Sequence, residues 1–369
     1  MSHLKNRGRN RWQICLDLGE DPSTGKRQRK YKTVKGTKAE AEAVMAEMLG
    51  QSHRGFEPQD MTLAQYIDEW LEGKKNDIEK STAMTYKNSL KTVLDDIGRI
   101  KLKHLRPHHI KKAMDDCVER GNGKSAMRHK KTVLSSALHD AVHIYKYLPE
   151  NPAANIPIPK KVPARKRDII FLEKEDALDF IDKLDMQHLR YICHISLHTG
   201  MRLGEVLGLE WKNVNIFKKE IRICQSLAHS NKELYIKGVK NDEERTVPIW
   251  DEFASFLERI RLQRKKERIF FGEAYSNNDL VVCKADGYYF HPKYTSNTFK
   301  PRADKYCPGL TIHSFRHTFA SILLKKGVDM KMIQELLGHK DFSMTSDIYS
   351  HILPSSKDDL RDKMADIFR

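Results

Sequence analysis

Four stretches of the chain carry side chains suited to chemistry on a phosphate. Arg202, in "HTGMRLGEVLGLEW" (198–211), follows a glycine turn and opens a predicted helix. A cation there is disfavoured by the helix macrodipole, and an anionic ligand reverses that balance. Glu205, in the same helix start, is positioned to hold the guanidinium from one side. His313 and Arg316, in "LTIHSFRHTFASILLKKG" (310–327), are three apart and share one helical face, with Cβ atoms about 5–6 Å apart. That pair suits a single phosphate: the guanidinium fork takes two oxygens, and the imidazole donates to a third or moves a proton. Thr311 is the predicted N-cap, and Phe315, Phe319, Ile322 and Leu323 form the apolar face. His339 follows Gly338, the predicted C′ glycine of "DMKMIQELLG", so it stands just past a helix end. Tyr349 comes ten residues later in "MTSDIYSH". Taken singly, each has a plain structural reading as a solvated arginine, a packed histidine or a surface tyrosine. Their order and combination point to one site.

A metal reading competes. His313 and His317 are four apart, the spacing of a zinc pair, but a hydrolase of the HExxH type needs Glu where Ser314 stands. No carboxylate or thiol follows at ligand-like spacing. The six cysteines (Cys15, Cys117, Cys193, Cys224, Cys283, Cys307) are scattered without a CxxC pair. They read as reduced thiols of a cytoplasmic protein, not as a disulfide framework or zinc knuckle. Neither a metal nor a cofactor is expected.

The fold class expected to position these residues is mainly α with small β elements (α+β). The predicted domains are 1–57, 62–150 and 168–369. In the first, "RWQICLDLGEDPSTGKRQRKYKTV" reads as a hairpin with a third short strand. A helix, "TKAEAEAVMAEMLG", follows, with Thr37 as N-cap and Gly50 as stop. "GFEPQDMT" (55–62) reads as a linker. The second domain opens on a capping box of Thr62 and Gln65. Its first helix has an apolar face of Leu63, Tyr66, Ile67, Trp70 and Leu71. Further helices are expected near 81–97, 107–120 and 125–147, with lysines and histidines along their edges. Five prolines in 149–167 exclude a long helix and mark a basic linker. The third domain is mostly helical with a β-rich insert at about 220–249, in "EIRICQS", "ELYIKG" and "ERTVPI".

The formal net charge is +16. Residues 1–38 hold eleven Lys/Arg against three acids, half of that excess. A chain this basic meets a polyanion, and nucleic acid is the ordinary one. No apolar run approaches a membrane span, and no apolar segment follows the basic N-terminus as a secretion signal requires.

The order Arg … His-x-x-Arg … Leu-Gly-His … Tyr resembles the tyrosine recombinases, the phage-integrase family, over about 170–369. "HTGMRLGEVLGLEW", "HSFRHTFAS" and "LLGHKDFSMTSDIYSH" match its motif blocks. The layout upstream is similar to integrases of temperate phages and integrative elements. The resemblance implies an arm-type DNA-binding domain (1–57), a helical core-binding domain (62–150) and a catalytic domain (168–369). It also implies a lysine on a hairpin turn ahead of the strand ending at Pro248. Lys240 is the best positional match, and Lys237 is the alternative because hairpin length varies.

The implied chemistry is attack of Tyr349 on a DNA phosphodiester, giving a 3′-phosphotyrosine and a free 5′-hydroxyl without a high-energy cofactor. Tyrosine's pKa near 10 calls for a base or a strong local field. His313 is implied as proton acceptor, Lys240 as general acid and His339 as donor to a phosphate oxygen. Arg202 and Arg316 would neutralise the transition state. The implied partners are double-stranded DNA at core-type and arm-type sites, a homotetramer on that DNA, a DNA-bending protein and a directionality factor. The expected place is the bacterial cytoplasm, at the nucleoid. Two alternatives are a nicking-resealing enzyme of type IB topoisomerase character and a catalytically silent DNA-binding regulator. The second would be marked by a missing Tyr or Arg, and none is missing. In the tail, Leu360, Met364, Ile367 and Phe368 share an apolar helical face, and the resemblance implies that it docks on a neighbouring protomer.

Overall fold

The computed structural model describes residues 3–8, 10–20, 27–53, 60–159, 162, 170–230, 233–239 and 244–338. The chain divides into two compact units, Met1–Lys166 and Arg167–Arg369.

The first unit begins with a three-stranded antiparallel sheet, β1 (His3–Asn6), β2 (Arg11–Glu20) and β3 (Arg27–Lys35), in the order β1-β2-β3. Ile14 and Leu16 alternate toward one face of β2 and are buried. Helix α1 (Lys38–His53) is packed against β2. Thr37 caps it as expected: its Oγ1 accepts from Glu40 N at 3.3 Å, and its own N–H donates to Glu40 Oε2 at 2.7 Å. The helix does not stop at Gly50, however, and continues to His53. A helical glycine costs only about 1 kcal/mol relative to alanine and ends a helix only where the chain also turns left-handed.

Four helices follow: α2 (Leu63–Gly73), α3 (Lys80–Ile97), α4 (Pro107–Glu119) and α5 (Lys124–His143). Thr62 and Gln65 form the predicted capping box, and all five residues of the predicted apolar face of α2 are buried. Tyr66 Oη donates to Ala137 O at 2.5 Å, and Trp70 Nε1 donates to Asp140 Oδ2 at 2.8 Å, tying α2 to α5. Helix α5 is four residues shorter than its predicted end at 147. Lys146 takes φ +57, and the Tyr145 and Tyr147 rings fold back edge-on to Tyr66 at 6.0 and 6.1 Å. That packing outweighs continued helix.

The second unit contains α6 (Lys174–Lys183), α7 (Gln187–Thr199), α8 (Leu203–Leu207), β4 (Val214–Asn215), β5 (Glu220–Ile223), β6 (Gln225–Ser230), β7 (Glu233–Gly238) and β8 (Arg245–Pro248). Helices α9 (Asp251–Phe271), α10 (Pro292–Tyr306), α11 (Ile312–Lys325) and α12 (Met330–Leu337) complete it. "EIRICQS", read as one strand, is two: β5 joins the sheet β4-β5-β8, and β6 pairs with β7 alone. The two part at Cys224, after Ile221 and Ile223 have pointed into the core. Phe180, Phe299 and Phe315 meet at the centre of that core, where α6, α10 and α11 converge, with ring centroids 5.8–6.1 Å apart. Among the described residues, no helix is long and apolar enough to cross a membrane.

Candidate active site

Helix α7 ends at Gly200, whose φ of +67 turns the chain back on itself. A Cβ there would stand 2.7 Å from the Phe319 ring and 2.8 Å from Leu337, so the turn requires glycine twice over. The turn sets Arg202 as N-cap of α8 with Glu205 at the third helical position. Arg202 N donates to Glu205 Oε2 at 2.9 Å, and Arg202 Nη1 donates to Oε1 at 2.8 Å. The predicted hold of Glu205 on Arg202 is therefore present.

Glu205 is almost completely buried and serves a second guanidinium. Arg245, the first residue of β8, donates from Nη2 to Oε2 at 2.6 Å and from Nη1 to Oε1 at 3.2 Å. Burial pushes the Glu205 carboxyl up. Its hydrogen bond and charge interaction with Arg245, and then the N–H and charge of Arg202, outweigh burial and hold it at about 2. The carboxylate is ionised at any working pH.

Arg316 lies inside α11 and is only 1% exposed. Its Nη1 donates to Gly200 O and its Nη2 to Leu337 O, both at 2.6 Å. Arg245 Nε donates to Leu336 O at 2.7 Å, and Arg202 Nη2 to Gly338 O at 3.0 Å. Three successive carbonyls at the end of α12 thus each accept from a different arginine. The last carbonyls of a helix lack intrahelical partners and carry its negative pole, so cations are stabilised there. Gly338 closes the helix at φ +63, and a Cβ on it would lie 3.2 Å from Arg245 Nη1. Two guanidiniums hold the Glu205 carboxylate and a third, Arg316, joins them on the neighbouring carbonyls, so positive charge is in surplus at the end of α12.

His313 and His317 stack edge to face on α11 with centroids 4.6 Å apart. Surrounding protein, the neighbouring His317 ring and the cationic Arg316 and Arg202 hold the His313 imidazole below its ordinary value, although the residue is open to solvent at the start of α11. Burial and Arg316 lower His317 likewise, to about 4. Both rings are neutral at pH 7. Among the described residues, no group of three or more His, Cys, Asp or Glu is arranged to hold a metal.

Of the predicted site residues, Arg202 and Arg316 are brought together at the end of α12, with His313 one turn from Arg316 on α11. Lys240, His339 and Tyr349, and the tail from Leu360 to Phe368, lie outside the described residues. Lys237 sits within β7, opposite Ser226 on β6. Arg245 is a site residue that the motifs do not include. Its signal is present in "ERTVPI": an arginine two residues from an apolar valine on a strand shares the face that valine buries.

The model of the phage integrase family matches residues 170–355. The chain belongs to that family. It is a site-specific tyrosine recombinase of the integrase type. The family's N-terminal SAM-like domain matches residues 62–117. Over its whole length the chain is 26% identical to a XerC-like tyrosine recombinase of Caldanaerobacter subterraneus subsp. tengcongensis, covering 98% of that protein. It is 24% identical to the ICEBs1 integrase of Bacillus subtilis (strain 168), covering 96% of this chain and 97% of the other. Among solved structures, the Tn1549 transposon integrase in complex with transposon right end DNA aligns at a TM-score of 0.69, with 20% identity, over 84% of this chain and all of that one. A lambda integrase tetramer bound to a Holliday junction aligns at 0.59 with 18% identity, over 94% of each chain. These structural likenesses establish a shared α+β fold. No likeness favours a topoisomerase or a silent regulator.

Proposed function

We propose that this recombinase integrates and excises a mobile element, with Tyr349 as nucleophile on a DNA phosphodiester and a 3′-phosphotyrosine intermediate. Arg202 and Arg316 bind the non-bridging oxygens of the scissile phosphate, His339 donates to one of them, His313 receives the tyrosine proton and Lys240 protonates the leaving 5′-oxygen. Residues 1–57 bind arm-type DNA, 62–150 grip the core site and 168–369 perform catalysis. The working assembly is a homotetramer on DNA, aided by a DNA-bending protein and a directionality factor. The tail from Leu360 to Phe368 docks on the neighbouring protomer.

The observation that carries this reading is the surplus charge at the end of α12. Arg202, Arg245 and Arg316 converge there around one carboxylate, Glu205. A pentacovalent phosphate gains negative charge as it forms, and preorganised guanidiniums stabilise it at no cost in reorganisation. A neutral His313 is in the right state to accept a proton at pH 7.

The test is a suicide substrate nicked beside the cleavage point, read on a denaturing gel. Wild-type protein is expected to become covalently attached, and Tyr349→Phe is expected to bind DNA normally with no attachment. Attachment of the Phe variant at the wild-type level would remove Tyr349 from its role.

A further inference from the structure

A cavity of about 180 Å³ opens in the second unit and shares no lining residue with the arginine cluster. One wall is α9, which contributes Arg261, Arg264, Lys265 and Arg268, positions one helical turn apart. Trp211 and Tyr275 line it as well. The backbone that carries the indole is held by a short antiparallel contact: Trp211 N donates to Asp279 O at 2.8 Å, and Val281 N to Leu209 O at 2.9 Å. The Arg261 guanidinium lies over the Trp211 ring, 5.6 Å from its centroid.

Charge is unbalanced here. Arg264 is neutralised by Glu267 at 2.8 Å and braced on Cys283 O at 2.8 Å, yet its buried Nε–H has no partner among the described residues. Arg261, Lys265 and Arg268 have no carboxylate partner among the described residues. The one acid in the lining, Asp279, holds φ +51 and accepts from Lys212 N through Oδ2 at 3.3 Å. Like charges crowded on one helix face repel, and an anion between them reverses the sign of that interaction. The volume falls short of the roughly 300–1,000 Å³ of ordinary small-molecule pockets. It admits a phosphate with part of its sugar. Lysine and arginine side chains that reach phosphate oxygens are the usual means by which a protein holds a duplex backbone.

We propose that this cavity is a second phosphate-binding site, which takes a phosphodiester of duplex DNA outside the strand-exchange centre. It rests on the reading of the chain as a DNA recombinase only for the source of the phosphate. The shared chemistry is a phosphate group, and a free phosphorylated small molecule is the other source.

The test uses the full chain and the triple variant Arg261→Gln, Lys265→Gln, Arg268→Gln. All three side chains are exposed, and the double variant Lys265→Gln, Arg268→Gln keeps Arg261 over Trp211 should the triple variant fold poorly. Affinity for a duplex extending beyond the core site is measured against salt concentration. The expected result is weaker binding and a log–log salt slope reduced by about 0.9 for each phosphate that is no longer neutralised. Trapping on a short suicide substrate stays at the wild-type level, and Lys265→Arg keeps the slope. Unchanged duplex binding with loss of calorimetrically measured pyrophosphate binding also supports a phosphate site and assigns it to a free anion. If duplex affinity, salt slope and pyrophosphate binding all match the wild type, there is no such site. The binding measurements need no cleavage, so a failure of the Tyr349 assignment leaves them readable.

Discussion

Among the described residues, each unit of the molecule buries one carboxylate, and the two are treated differently. In the helical bundle, Asp140 accepts from the Trp70 indole at 2.8 Å and lies 3.1 Å from Lys74 Nζ. One negative charge meets one positive charge and one neutral donor, and the result pins α2 to α5. In the second unit, Glu205 meets two guanidiniums directly, and a third, Arg316, joins them on neighbouring carbonyls. Taking unpaired charges out of water costs several kcal/mol per ion, and the bundle meets that cost at Lys130 with two neutral acceptors, Ser89 O and Thr92 Oγ1, both at 2.7 Å. The surplus at Glu205 differs in including Arg202, which keeps more than a third of its side chain exposed, so an external anion can complete the count there.

The comparison breaks most sharply at Glu205. Glu205→Gln keeps the shape and removes the charge that two arginines share, so a loss of about 3–5 kcal/mol in stability is expected. Denaturant titration measures it, and a loss of less than about 1 kcal/mol, the worth of an ordinary exposed pair, would mean that the arginines do not depend on Glu205. Next come Arg202→Ala and Arg316→Ala, each expected to slow single-turnover cleavage by roughly 10²–10³-fold. Lysine at either place should rescue poorly, since a point charge does not reproduce the planar fork. Near wild-type rates for both lysine variants would show that charge alone suffices.

Asp140→Asn probes the balanced site. It should cost about 1–3 kcal/mol by weakening the hold on Trp70 and Lys74, while the folded protein cleaves at the normal rate. A cleavage defect larger than the folded fraction explains would erase the distinction between the two sites.

The smallest effect is a pH dependence. His313 and His317 are depressed from 6.5 to about 4 in the folded state. The unfolded chain therefore takes up protons first, and the stability these rings contribute is fully present above 6.5 and lost as pH falls toward 4. Glu205, held at about 2 against an ordinary 4.5, loses its contribution only at lower pH still. Melting temperatures of the wild type and of the double variant His313→Gln, His317→Gln, followed from neutral pH down to about one unit below the ordinary histidine value, should converge as pH falls. Parallel curves would show that the rings titrate normally.

Local signals were legible in the residues themselves. The capping box at Thr62, the N-cap at Thr311, the buried face of α2 and the left-handed Gly338 each depend on neighbours within about one helical turn, where spacing alone decides who meets whom. The pairing of Arg202 with Glu205 and of His313 with Arg316 on α11 is of the same kind. Element ends were less legible: α1 runs through Gly50, and α5 stops early because Tyr145 and Tyr147 find Tyr66, a partner far along the chain. The strand face of Arg245 is legible in "ERTVPI", but its partners belong to the tertiary structure. Forty residues separate it from Glu205 and 91 from Leu336. An arginine in a short strand gives no hint of which carboxylate or carbonyl it will meet. The sequence determined which side chains were fit for a phosphate and which short segments would carry them. Only the packing of α8, β8 and α11 around the end of α12 decided that three guanidiniums meet beside one carboxylate, because burial and charge balance are properties of what surrounds a group in space, not of what precedes it in the chain.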